Sequence, residues 1–183
     1  MQYLHDGQYQ ALADDIVQIH DTEQAPDQVV VEDQALLREL QAAIDEEQIG
    51  SQVEAVAQPG RGVVLRVNGE VLYRQGEAEL LGEALPILQR IAGLAAAAPH
   101  QVMIEGHTDD VPIRTAQFPS NWELSAARAI SAMRFLVDAG VDAARVGVAG
   151  YADLRPLHPN DSDARRASNR RVEFVFLRTA GAS

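Results

Sequence analysis

The spacing of apolar residues changes several times along the chain, and each change marks an element. From Ala11 to His20, Leu12, Ile16 and Ile19 recur at helical intervals and predict a short amphipathic helix. The stretch DTEQAPDQ interrupts it and reads as a linker broken at Pro26. DQALLRELQAAIDEEQ then carries Ala35, Leu36, Leu40, Ala43 and Ile44 on one side of a second helix. Beyond Ser51 the period shortens to two. Val53, Ala55 and Ala57 alternate with polar residues, Pro59-Gly60 supplies a turn, and Val63, Leu65 and Val67 resume the alternation, which predicts a β-hairpin followed by another tight turn at Asn68-Gly69.

The rest of the chain alternates helices with short strands. AELLGEALPILQRIAGLAAAA predicts a helix that Pro86 should bend or restart. HQVMIEGH predicts a buried strand, NWELSAARAISAMRFLVDAG a helix ended by Gly140, ARVGVAGYA a strand, and RRVEFVFL a last strand with Val172, Phe174 and Phe176 facing inward. The order ββαβαββ implies an α/β sandwich in which a mixed sheet packs against helices, preceded by a helical extension. The boundary is expected near residue 50, giving an acidic helical extension over 1–50 and a folded domain over 51–183.

Charge sharpens that division. Residues 1–60 hold thirteen acidic residues against the single Arg38, whereas residues 61–183 hold fourteen of each sign, so the net charge of −12 resides in the first third. An acidic arm repels a phosphate backbone, and the basic patch around Arg165, Arg166, Arg170 and Arg171 is short, so nucleic acid is not expected as a partner. Without cysteine there is no disulfide, thiolate catalysis or sulfur-ligated zinc, and without lysine there is no Walker lysine or Schiff base. There is no run of 18 apolar residues and no signal-like start, which by themselves point to the cytoplasm.

Candidate chemistry concentrates in EGHTDDVPIRTAQFPSNWELSAAR, where Asp109 and Asp110 follow a strand and Arg128 lies within the next helix. Ser120 and Glu123 have capping-box spacing and fix the helix start, which puts Asn121, Leu124, Ser125 and Arg128 on one stripe near the strand end bearing Thr108 and Asp109. From pattern alone the plainer reading is that Asp109 and Arg128 bridge each other. The sharper one is a clamp for a zwitterion, with carboxylate facing ammonium and guanidinium fork facing carboxylate. A metal site at His107 and Asp109 lacks the three or four ligands such a site needs, and none is expected. Adjacent carboxylates such as Asp109 and Asp110 do not suit a glycosidase, and no nucleophile with an evident base is present, so neither an enzyme nor a cofactor is expected. Arg165 and Arg178 read as solvated, and Asn169 and Arg170 as residues that hydrogen-bond locally before the last strand, an edge strand.

Taken together, GHTDDVPI, FPSNWELSAARA, VAGYADLRPLHPN and RRASNRRVEF, in this order, resemble the OmpA-like peptidoglycan-binding family, and within it the MotB branch of flagellar motor stator subunits. The likeness covers about residues 50 to 178; the insertion between Asp110 and Asn121 favours the stator branch. It implies non-covalent binding of peptidoglycan, with Asp109 and Arg128 gripping the diaminopimelate of the stem peptide, Thr108, Asn121 and Leu124 lining the same pocket, and Arg166 and Arg170 close by. It also implies a homodimer, a MotA-like channel subunit as partner, and a periplasmic domain whose parent carries a single N-terminal membrane helix missing from this chain, which reverses the cytoplasmic expectation. A general OmpA-like envelope tether, as in a secretion apparatus, is the alternative, and a peptidoglycan hydrolase is a distant third. The first 50 residues are expected to act either as a regulatory arm or as an inert spacer.

Overall fold

The computed structural model describes residues 26–46 and 50–177. The helix expected over residues 11–20 and the side chain of Arg178 lie outside them. Helix α1 (Pro26–Glu46) is longer than the apolar pattern suggests. Pro26 begins it instead of belonging to a linker, because the first turn of a helix needs no N–H from that residue and the fixed φ of proline suits it.

Strands β1 (Val53–Gln58) and β2 (Gly62–Asn68) form the expected hairpin, in register from Val53 opposite Val67 to Gln58 opposite Gly62. The second tight turn is not formed. Asn68 caps a four-residue helix, α2 (Gly69–Leu72), its side chain accepting from the Glu70 N–H at 2.9 Å. Helix α3 (Leu85–Ala97) starts only after a 3₁₀ turn at Gly82–Ala84, so Pro86 falls within its first turn and neither bends nor interrupts it. Strand β3 (Gln101–His107), helix α4 (Asn121–Asp138) and strand β4 (Val146–Gly150) form a parallel crossover unit. A short helix α5 (Asp163–Asn169) leads into β5 (Arg171–Leu177).

The sheet order is β1-β2-β5-β3-β4. The last strand is therefore the central one, antiparallel to both β2 and β3, and not the edge strand anticipated. Val63, Leu65, Val172, Phe174, Phe176, Val102 and Ile104 share one face, and onto it pack Leu36 and Leu40 of α1, Leu88 and Ile91 of α3, and Ala129, Ala132 and Leu136 of α4. α1 thus buries its apolar stripe on the same core as the domain it precedes.

Two glycines set the height of α4 above the sheet. A Cβ on Gly106 would lie 2.0 Å from the Ser125 carbonyl oxygen, and one on Gly150 would lie 2.5 Å from the Ala126 nitrogen. Only bare backbone at both strand ends lets the first turns of α4 rest directly on β3 and β4. This contact brings the stripe of α4 to the end of β3.

The opposite face of the sheet carries Val64 and Val175 and, beside them, an ionic network. Glu173 accepts from Arg171 at 2.7 Å, from Arg66 at 3.2 Å and from Arg61 at 3.2 Å, while Arg61 also donates to Glu105 at 2.6 Å. His107, 1% exposed, stacks on Tyr151 and places Nε2 3.6 Å from Glu105. Burial lowers the His107 pKa, with Glu105 opposing and Arg171 reinforcing that shift. Burial alone would raise the Glu105 and Glu173 carboxyls, but His107 and Arg61 outweigh it at Glu105, and Arg171 outweighs it at Glu173, so both are lowered.

These shifts fix the pH dependence of stability. A histidine kept neutral in the fold contributes fully above its unfolded pKa of about 6.5 and loses that contribution as pH falls below it; the depressed carboxylates contribute above about 4.3 and lose theirs under more acid conditions. The urea midpoint should therefore fall between pH 7.5 and 5, and again below pH 4. Circular dichroism of parent and His107→Gln should show a flatter profile for the variant over the upper interval; parallel profiles would remove His107 from the account.

Candidate functional site

At the end of β3 the chain leaves the sheet beside α4 and α2, and a cleft of about 630 Å³ opens between them. All seven residues singled out in the sequence line it: Thr108, Asp109, Asn121, Leu124, Arg128, Arg166 and Arg170. Local hydrogen bonds explain why they hold their places. Thr108 donates its N–H to the Ala152 carbonyl at 2.9 Å and its hydroxyl to the Asp109 carbonyl at 2.8 Å. Asn121 donates to the Val111 carbonyl at 3.0 Å and to that of Asp109 at 3.3 Å, so the first residue of α4 pins the loop that leaves β3. Ser120 caps this helix as the spacing predicts, accepting from the Trp122 N–H at 3.2 Å and bonding its hydroxyl to Glu123.

Asp109 and Arg128 do not bridge each other. Asp109 accepts from the Val111 N–H at 3.1 Å and from Arg170 at 2.7 Å. Arg170 also binds Glu70, and although burial works against its charge, the two carboxylates outweigh that effect and raise its pKa. Arg166 pairs with Asp163 and donates to the Asn160 carbonyl at 2.7 Å.

Arg128 is placed differently. It is 5% exposed, lies 5.1 Å above the ring of Tyr73, and donates to the backbone carbonyls of Glu77 at 2.8 Å and Arg74 at 3.1 Å. Among the described residues no carboxylate lies within 4.0 Å of its guanidinium. Burial lowers its pKa, and nearby Arg170 adds to that effect. Tyr73 donates its hydroxyl to the Arg128 carbonyl at 2.8 Å, and burial pushes its own pKa up to about 12. A buried cation held chiefly by neutral dipoles is costly, and an anion entering the cleft would offset part of that cost.

The basic patch read from the sequence is not one surface. Arg165 pairs with Asp161 at 2.6 Å on the outside, in keeping with a solvated residue, whereas Arg171 belongs to the network on the far face. The local bonding expected of Asn169 and Arg170 is not what the fold uses: Asn169 accepts from the N–H groups of Leu157 and His158 and donates to the His158 carbonyl at 2.8 Å, eleven or twelve positions away, and Arg170 pairs with the distant Asp109 and Glu70. Spacing alone missed Glu70, Tyr73 and the carbonyls of Arg74 and Glu77, all from the segment after β2. Only Asn68, a good helix cap, hinted that this segment was ordered.

His107 has companions that spacing did not suggest: ligand atoms of Glu105, His107 and Glu173 lie within 4.8 Å of one another. Three guanidiniums, of Arg61, Arg66 and Arg171, already bind the two carboxylates, so a divalent cation would have to compete with them. The group is an ion-paired network, and Asp109 takes no part in it.

The fold is a two-layer α/β domain with this cleft at its strand ends. Residues 72–170 match the OmpA family, and the chain belongs to that family. It is 37% identical over 160 residues to the uncharacterized protein YtxE of Bacillus subtilis, covering 87% of this chain and 64% of that protein. It is 32% identical over 118 residues to Motility protein B of the same organism, covering 63% and 45%. Two solved structures share the fold. A MotB-like protein from Desulfovibrio vulgaris matches with a TM-score of 0.77 at 34% identity, over 84% of this chain and 95% of that one. The cell wall anchor of the T6SS from Pseudomonas aeruginosa matches with a TM-score of 0.69 at 34% identity, over 78% and 96%. The chain spans 45–64% of the length of the two curated relatives. No described helix is long and apolar enough to cross a membrane.

Proposed function

We propose that this domain binds peptidoglycan without chemistry, taking the free zwitterionic end of a stem-peptide diaminopimelate into the cleft, and so anchors a flagellar motor stator to the cell wall. The observation that carries the reading is Arg128, a buried guanidinium lacking a carboxylate partner among the described residues and facing the same cleft as Asp109. The ligand carboxylate meets the Arg128 fork and its ammonium meets Asp109, while Thr108, Asn121 and Leu124 shape the walls and Arg166 and Arg170 complete the charged rim. Anchoring is supported by the likeness to Motility protein B and to a cell wall anchor. In this reading the domain lies in the periplasm, as in the solved periplasmic domain of Helicobacter pylori MotB. The parent carries an N-terminal membrane helix and meets a MotA-like channel subunit, and residues 1–50, although α1 packs on the domain core, have a role distinct from ligand binding at 51–183.

Incubation with purified diaminopimelate-type sacculi followed by sedimentation tests the reading. The parent should pellet with the sacculi, release no soluble muropeptides and be displaced by soluble diaminopimelate-bearing stem peptide. Protein left in the supernatant would remove the proposal, and released fragments would replace anchoring with hydrolysis.

The likeness to the T6SS anchor supports a second reading, a tether for a secretion apparatus. A motor-channel gene beside this one favours the stator, and secretion genes favour the tether. The stator reading also carries two copies of the subunit, which requires a self-complementary patch. Light scattering should report a dimer at high protein concentration; a monomer throughout would assign pairing to the rest of the parent.

A further inference from the structure

The free cleft presents Asp109 already occupied, and how a ligand ammonium reaches it depends on a residue outside the predicted set. Arg170 spans two carboxylates, giving Nη1 to Asp109 at 2.7 Å and Nη2 to Glu70. The Glu70 side chain is 61% exposed and that of Asp109 is 10% exposed. The turn carrying Glu70 is built onto the backbone of Arg170: the Gly69 N–H donates to the Arg170 carbonyl at 2.8 Å, and a Cβ on Gly69 would lie 2.9 Å from that oxygen. Asn68 fixes the other side by capping the Glu70 N–H. Glu70 is thus held where Arg170 can find it, by backbone contacts that do not depend on its own carboxylate.

We propose that Glu70 sets the specificity of the cleft for an amine, by receiving Arg170 when the ligand ammonium takes its place on Asp109. The inference rests on the zwitterion reading given above. One Asp109 oxygen is committed to the Val111 N–H and the other to Arg170, so an ammonium competes with Arg170 for the second. An arginine with a second carboxylate in reach gives up the first at little cost, whereas one with no alternative opposes the incoming charge by competition and by repulsion. Removing the Glu70 carboxylate should therefore penalise ligands that carry the amine. Ligands that offer only a carboxylate to Arg128 should bind as before or more tightly, because a nearby negative charge has gone.

The test is calorimetric titration of the whole chain and of Glu70→Gln with two peptides, a diaminopimelate-bearing stem tripeptide and the same peptide acetylated on the distal amine. The parent should prefer the free amine, and Glu70→Gln should cut that preference about tenfold by weakening binding of the free-amine peptide alone, the size expected for one charged hydrogen bond. Glu70→Asp, which keeps the carboxylate, should recover part of the preference. An unchanged ratio in Glu70→Gln, whether both affinities hold or both fall together, overturns the role of Glu70 and leaves the zwitterion reading standing. A parent that binds neither peptide overturns that reading, and the role of Glu70 with it.

Discussion

Arg128→Ala should abolish measurable sacculus binding, at a cost of about 2 to 5 kcal/mol, the range seen when one partner of a buried charge contact is truncated. That is a thirtyfold loss or more. The prediction rests on this guanidinium having no carboxylate within 4.0 Å among the described residues: two carbonyls and the Tyr73 ring hold it until a ligand anion arrives. Arg128→Lys keeps a charge but loses the fork that also holds the Arg74 and Glu77 carbonyls, so it should fall between parent and alanine. Because those bonds order the loop beneath the cleft, urea unfolding of each variant must accompany the binding data. A folded Arg128→Ala that still pellets with sacculi as the parent does would empty the clamp of meaning. Asp109→Ala should have a milder effect, because Arg170 retains Glu70 as a partner.

A second large effect is expected from a residue just outside the cleft lining. Gly106→Val should destabilise the fold by about 3 kcal/mol or more, the upper range for overpacking, since its Cβ meets a backbone oxygen that cannot swing away. The strain falls on the first turns of α4, which carry Asn121, Leu124 and Arg128. Binding should therefore weaken even at temperatures where the variant remains folded. Urea unfolding that matches the parent would show that α4 is not seated on bare strand backbone.

The parts legible in the sequence were those encoded by short-range pattern. Alternation from Val53 to Val67 gave the hairpin, and Ser120 with Glu123 gave the start of α4, hence the stripe from Asn121 to Arg128. Thr108, Asp109, Asn121, Leu124 and Arg128 come together because that stripe and the β3 end are joined by one loop. What escaped was long-range or very short. Asp109 and Arg170 are 61 positions apart, so no spacing reveals that they pair. Four-residue α2 is too brief for a helical period, and a proline at the start of α1 resembles a proline that ends a linker. The arginines before β5 suit an edge strand, but Arg171 and Glu173 lie buried in the central strand, where Glu173 pairs with Arg171 and with Arg66 of β2.

Whether the buried Arg128 guanidinium receives a ligand carboxylate is measured directly by comparing two ligands on the unaltered protein. Calorimetric titration with a stem tripeptide ending in diaminopimelate should show binding at least about tenfold tighter than with the same tripeptide ending in lysine, which keeps the amine and lacks the distal carboxylate, because the second ligand leaves Arg128 unpaired. Equal affinity for the two peptides would contradict the account.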